Sequence, residues 1–149
     1  MADIRHRVGI TGATAAQAYE ALATTGGLAG WWTRTVDGDP AVGGDLKFYF
    51  EGSEPGAVMR VTGLVPGQRV SWQCTGGPDE WVGTTLSFDL AEADGETVVM
   101  FTQAGWREPV PFMHHCSTKW AVFLLSLKAG LERGAATPYP DDQTVSSWS

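Results

Sequence analysis

The chain has 149 residues, of which 43% are hydrophobic and 18% are charged. This length suits one domain, and this composition is typical of a folded globular protein and excludes a disordered one. Its 10 lysines and arginines against 17 aspartates and glutamates give a formal net charge of −7, so we expect no nucleic-acid partner, because a phosphate backbone would repel the chain.

The N-terminal segment predicts a strand followed by a helix. Residues 3–10 alternate loosely between apolar and polar types, which is typical of a strand. Thr14 and Gln17 have the spacing of a capping box, and apolar residues then recur at helical spacing. This pattern predicts a helix over residues 14–25, ended by the glycine pair that follows it. One or two further helical turns and a pair of tryptophans ending at Trp32 come next.

Glycine-containing turns recur through residues 33–105 and predict a meander of about six short strands. Between the turns, hydrophobic residues occupy alternate positions, as at Leu46, Phe48 and Phe50. This alternation gives each strand one apolar and one polar face, as in an antiparallel sheet that is covered on one side. Another element must therefore cover the apolar face.

The segment from Pro111 to Arg133 predicts the long helix that covers the sheet. Large apolar residues fall on one broad face of this helix when successive residues are placed about 100° apart. Proline marks the start of the helix and Gly134 its end. We expect one domain over residues 1–134 and a polar tail over residues 135–149 that runs over the surface or frays.

The sequence also indicates the cellular compartment of the protein. No signal peptide is visible at the N-terminus, and no run of about 18 apolar residues occurs, so we expect a cytoplasmic protein without a membrane span. In a reducing compartment, the two cysteines Cys74 and Cys116 are expected to be buried, unpaired hydrophobic side chains.

Several local motifs resemble the SRPBCC or START-like helix-grip superfamily. They are Gly30-Trp31-Trp32 after the first helix, Gly43-Gly44 before an aromatic strand, and the segment from Leu64 to Trp72. Residues 84–106 and the final helix resemble the C-terminal domain of the activator of Hsp90 ATPase. The resemblance implies an α+β helix-grip fold. In it, a curved antiparallel sheet of about seven strands wraps around a long C-terminal helix, with two short helices after the first strand.

The resemblance also implies a cavity between the concave sheet face and the long helix, which holds apolar molecules in various relatives. We therefore predict that the chain binds a small, largely apolar and aromatic or lipid-like ligand. Gln103 is the best polar candidate, because a buried amide needs a hydrogen-bond partner. The predicted ligand-binding residues are Trp32, Phe48, Phe50, Trp72, Phe88, Phe101, Gln103, Phe112, Cys116, Trp120 and Phe123.

No motif indicates catalysis, a metal ion or a cofactor, and we assign no catalytic or metal-binding residue. The adjacent His114 and His115 point about 100° apart on a helix and cannot converge on one ion. One alternative is a polyketide-cyclase-like enzyme, whose titratable group would have to be one of these histidines. Another is a chaperone-activator-like interaction module, which would expose an apolar patch to a chaperone partner. The oligomeric state is not visible in the sequence.

Overall fold

The order of elements along the chain is strand, two short helices, six strands and one long helix, in a computed structural model that describes residues 1–149. The elements are β1 (Ala2–Ile10), α1 (Ala15–Ala23), α2 (Thr25–Ala29), β2 (Thr35–Gly38), β3 (Asp45–Tyr49), β4 (Ala57–Val65), β5 (Arg69–Gly76), β6 (Thr85–Ala93), β7 (Glu96–Trp106) and α3 (Pro111–Arg133). This order confirms the α+β architecture predicted from the sequence.

All seven strands form one antiparallel sheet with the order β1-β7-β6-β5-β4-β3-β2. The register places Trp72 opposite Leu86, and Phe88 opposite Phe101. Apolar side chains at alternate positions therefore share one face of the curved sheet, as the sequence predicts. Two register shifts interrupt the pairing of β4 with β5, and such bulges bend a sheet.

The predicted capping box begins α1. Thr14 Oγ1 accepts a hydrogen bond from the Gln17 amide at 3.1 Å, and Gln17 Oε1 accepts one from the Thr14 amide at 2.9 Å. The predicted end of this helix is wrong, because the break comes at Thr24, which adopts an extended conformation. Thr24 Oγ1 then accepts from the Gly27 amide at 2.9 Å and caps α2, so the glycine pair lies inside a second helix.

The long helix α3 has the predicted bounds and covers the apolar face of the sheet. Pro111 occupies its first turn, and Gly134 ends it in the left-handed conformation with φ at 65°. Its buried residues are Cys116, Trp120, Phe123, Leu124, Ser126 and Leu127. No helix of the protein is long and apolar enough to cross a membrane.

Glu132 ties the last turn of α3 to the loop that follows β1. Its Oε2 accepts hydrogen bonds from the Thr11 amide at 2.8 Å and from Thr11 Oγ1 at 2.9 Å. The same oxygen pairs with Lys128 Nζ at 2.8 Å. These charge-assisted contacts hold the pKa of the Glu132 carboxyl at about 2, well below its ordinary value, with the Lys128 hydrogen bond as the largest cause.

The tail, residues 135–149, follows the protein surface back toward the middle of α3. The Tyr139 amide donates to the Trp32 carbonyl at 2.8 Å, and Tyr139 pairs with Thr33 in an isolated parallel bridge. Ser126 Oγ donates to the Trp31 carbonyl and accepts from the Thr137 amide, each at 2.9 Å. The tail is thus hydrogen-bonded both to α3 and to the segment after α2.

Candidate functional site

Aromatic side chains fill most of the space between the sheet and α3. The Trp32 ring lies 5.0 Å from Trp120 and 6.2 Å from Trp72, measured between ring centres. Phe101 lies 4.5 Å from Trp120, and Phe88 lies 5.1 Å from both Trp72 and Phe101. The deep central cavity expected from the resemblance is therefore occupied by the protein's own rings.

Five of the predicted ligand-binding residues consequently lie in the packed core and not in the wall of the pocket described below. They are Phe48, Trp72, Phe88, Phe101 and Gln103. The alternation of the strands correctly predicts that these side chains face inward. It cannot show that neighbouring rings would fill the space in front of them.

A pocket of about 380 Å³ remains at one side of this aromatic core. Residues of α3, of the β3–β4 loop, of the β5–β6 loop and of the tail form its walls. The structure brings together six of the predicted ligand-binding residues here: Trp32, Phe50, Phe112, Cys116, Trp120 and Phe123. The pocket is partly open to solvent, so a ligand can enter without unfolding the core.

Three aromatic residues of the pocket are absent from the predicted ligand-binding set. They are Trp81 in the β5–β6 loop and Tyr139 and Trp148 in the tail. Trp81 stacks on Trp120 with ring centres 5.7 Å apart. The sequence signal for them is an aromatic residue within a polar, turn-rich segment. A large apolar ring in such a segment is left exposed to water unless it packs against the domain.

Gln103 holds Trp120 in place from inside the core. Its Oε1 accepts from the Trp120 indole Nε1 at 2.9 Å, and its Nε2 donates to Thr84 Oγ1 at 3.1 Å. Thr84 Oγ1 in turn donates to the Trp81 carbonyl at 2.7 Å. The buried amide predicted as a ligand contact therefore finds its partners within the protein, and it positions two tryptophans of the pocket wall.

Lys119 of α3 binds the tail next to the pocket. Its ammonium group forms an ion pair with the Asp142 carboxylate, and it donates to the backbone oxygens of Gln143 at 2.8 Å and Ser149 at 2.9 Å. The side chains of Lys119 and Asp142 are only 16% and 5% exposed. This pair is therefore shielded from solvent more than an ordinary surface ion pair.

Two titratable side chains of the pocket wall, His115 and Cys116, have shifted pKa values. Burial, and then the charge of Lys119, lower the pKa of His115 and favour its neutral imidazole. His115 Nδ1 is hydrogen-bonded to Ser146 Oγ at 2.7 Å, whereas His114 is exposed. Burial raises the pKa of the Cys116 thiol to about 12. No three His, Cys, Asp or Glu side chains come together to hold a metal ion.

One protein-family model matches most of this chain. The family model described as Activator of Hsp90 ATPase homolog 1-like protein matches residues 12–132. The chain belongs to this family. A comparison with the curated proteins finds no match to this chain.

Solved structures agree with the family assignment. The Aha1 dimer from Colwellia psychrerythraea shares 46% identity and a TM-score of 0.81, over 90% of this chain and 98% of that chain. A Staphylococcus saprophyticus protein shares 17% identity, with a TM-score of 0.74, over 91% of this chain and 95% of that chain. DynU16, from the dynemicin biosynthetic locus, shares 19% identity, with a TM-score of 0.72, over 92% of this chain and 49% of that chain. The last two similarities show the fold alone.

Proposed function

We propose that this protein binds a small, largely apolar ligand that carries a ring system. The observation that supports the proposal is the open pocket of about 380 Å³, whose wall contains eight aromatic side chains. Small-molecule sites in proteins usually have volumes of about 300–1,000 Å³ and apolar, aromatic walls with a few polar groups. The pocket has both properties.

The wall is built to keep its shape when a ligand enters. Gln103 fixes the Trp120 indole, and Trp81 stacks on that indole. Ligand binding therefore costs little side-chain ordering on this side of the pocket, because the rings are already held in place. Trp148, in the tail, packs with its ring centre 6.3 Å from that of Phe112 and 5.7 Å from that of His115.

Titration with the neutral fluorescent probe N-phenyl-1-naphthylamine tests the proposal. We expect saturable binding and a rise in melting temperature, because a ligand at a hundredfold excess over its Kd stabilises the native state by about 2.7 kcal/mol. Trp148→Ala should weaken binding, because Trp148 lines the pocket. Leu125→Ala is the matched control, because Leu125 is equally exposed but lies outside the pocket. Absence of saturable binding to the unmodified chain would refute the proposal.

Self-association is a second candidate property, and it is supported by the relative from Colwellia psychrerythraea, whose solved structure is a dimer. We infer that this chain forms a comparable dimer. Sedimentation equilibrium over a hundredfold range of protein concentration tests it. A mass that stays at 16.0 kDa throughout the range would contradict the inference.

The other two alternatives have less support. Of the two histidines that a polyketide-cyclase-like enzyme could use, only His115 lines the pocket, and the partner of its Nδ1 atom is Ser146, not a carboxylate that would strengthen the imidazole as a base. A chaperone-binding module would need a contiguous apolar patch, whereas the exposed large apolar residues are spread over separate segments, as at Val42, Met100 and Leu125.

A further inference from the structure

We propose that the pocket selects an organic cation, meaning an apolar or aromatic ligand that carries one positively charged nitrogen. This inference rests on the proposed function and names the chemical class of its ligand. It follows from the charges that line the pocket, from the partners of those charges, and from the aromatic character of the wall.

The one permanently cationic side chain in the pocket wall is not available to a ligand. Lys119 has three ammonium protons. The structure places three oxygen atoms around them, from the Asp142 carboxylate and from the backbone of Gln143 and Ser149. An acidic ligand could pair with Lys119 only by displacing one of these three oxygens, and displacement of the carboxylate would leave Asp142 buried without a partner. Such a loss costs more than the new pair returns.

The remaining charge at the pocket is negative. Glu51, in the β3–β4 loop, lines the pocket and makes no ion pair or side-chain hydrogen bond. The lowered pKa of His115 favours its neutral imidazole, which adds no positive charge to balance Glu51. The whole chain carries a formal charge of −7, so its field also favours approach by a cation.

The pocket already holds one cation in the way that we propose for the ligand. The Lys119 ammonium lies 5.4 Å from the centre of the Phe123 ring, and Asp142 supplies the counter-charge. Aromatic faces attract cations through the ring quadrupole, and cages of aromatic side chains recognise alkylated ammonium groups. A ligand nitrogen between the rings and Glu51 would repeat the arrangement that Lys119 shows.

Three naphthalene probes of similar size separate the possibilities by isothermal titration calorimetry. They are (1-naphthylmethyl)trimethylammonium, which is a cation, 1-naphthalenemethanol, which is neutral, and 1-naphthylacetate, which is an anion. We expect the cation to bind about 2- to 30-fold more tightly than the neutral probe, the range that cation–π contacts of exposed to desolvated groups supply. The anion should bind most weakly.

Two matched variants locate the effect. Glu51→Gln should weaken binding of the cation by about 2- to 5-fold, as expected for a partly exposed ion pair, and should leave the neutral probe unchanged. Glu54→Gln removes the same charge from the same exposed loop, but Glu54 does not line the pocket, so binding should not change.

The outcomes are distinguishable. Equal binding of the cationic and neutral probes would overturn the inference while leaving the proposed function intact. Equal effects of the Glu51 and Glu54 substitutions would also overturn it, because only the overall field would then matter. If none of the three probes binds, the proposed function fails, and this inference fails with it.

Discussion

Replacement of Trp120 by Phe tests the buried network that shapes the pocket wall. Trp120 is 2% exposed and Gln103 is fully buried, so the hydrogen bond from the indole N–H to Gln103 Oε1 is shielded from solvent. In Trp120→Phe the amide oxygen loses this donor. The smaller ring also leaves unfilled space beside Trp32 and Phe101, both of which contact the indole.

The expected cost is the sum of these two effects. A buried polar group left without a partner costs about 1–3 kcal/mol. The lost ring volume adds about 1 kcal/mol, less than the complete truncation of a core aromatic residue. We therefore expect the free energy of unfolding to fall by about 2–4 kcal/mol in Trp120→Phe, a large share of the stability of one domain.

A double-mutant cycle separates the hydrogen bond from the packing. Gln103→Leu leaves the indole N–H of Trp120 without an acceptor, whereas Thr84 Oγ1 still donates to the Trp81 carbonyl. In the variant with both substitutions, the indole N–H and the amide oxygen are both absent, so neither is left without a partner. Its loss of stability should therefore be smaller than the sum of the two single losses by about 1–3 kcal/mol.

Urea unfolding at 25 °C, followed by circular dichroism, measures all four proteins. Additivity within about 0.5 kcal/mol would show that Gln103 and Trp120 do not interact energetically, and it would refute the reasoning. A loss below about 0.5 kcal/mol in Trp120→Phe alone would show that the indole N–H is not desolvated.

Three further predictions follow from other parts of the fold. Phe123→Ala or Leu127→Ala should lower the free energy of unfolding by about 2–5 kcal/mol in urea denaturation, because both side chains lie on the buried face of α3. A loss below about 0.5 kcal/mol would place this face of the helix at the surface. Because the pKa of Glu132 is lowered from its ordinary 4.5 to about 2 in the folded state, its contribution to stability is complete above about pH 4.5 and is lost as the pH falls toward 2. Glu132→Gln should therefore flatten the dependence of melting temperature on pH across this interval, and an unchanged profile would contradict the assignment. Since burial raises the thiol pKa of Cys74 to about 11 and of Cys116 to about 12, both should react with Ellman's reagent at pH 8 only after unfolding, and rapid reaction of the native protein would show an accessible thiolate.

The sequence was sufficient for most of the architecture, because the relevant signals are local. Alternating residues such as Leu46 and Phe48 mark strands with one buried face, and the apolar face of the segment from Pro111 to Arg133 marks its covering helix. The one misplaced helix boundary came from Thr24. Its hydroxyl group caps α2, so a second helix begins there and includes the two glycines that were expected to end α1.

The candidate site was harder to predict, because its shape depends on long-range packing. Strand alternation shows that Phe88 and Phe101 face inward, but their ring centres lie 5.1 Å apart, and this contact depends on how β6 and β7 pair. Whether a cavity survives is decided by the summed volume of many rings. Side-chain patterns along a single strand do not contain this information.

The contribution of the tail was also beyond local reasoning. Trp148 lies far along the chain from Phe112, yet their ring centres come within 6.3 Å of each other. Polar composition predicts a surface segment, and the tail does follow the surface. Its position over the pocket depends on single contacts, such as the ion pair of Asp142 with Lys119, for which the sequence shows no spacing rule.

The attachment of residues 135–149 to the pocket has a practical consequence for handling the protein. An affinity tag or fluorescent fusion placed after Ser149 would begin at a residue that itself lines the pocket, and it could compete with a ligand for the same space. Met1, by contrast, is 97% exposed and lies outside the pocket wall. Ligand screens on this protein should therefore carry their purification handle at the N-terminus, and results obtained with a C-terminal handle should be repeated after its removal.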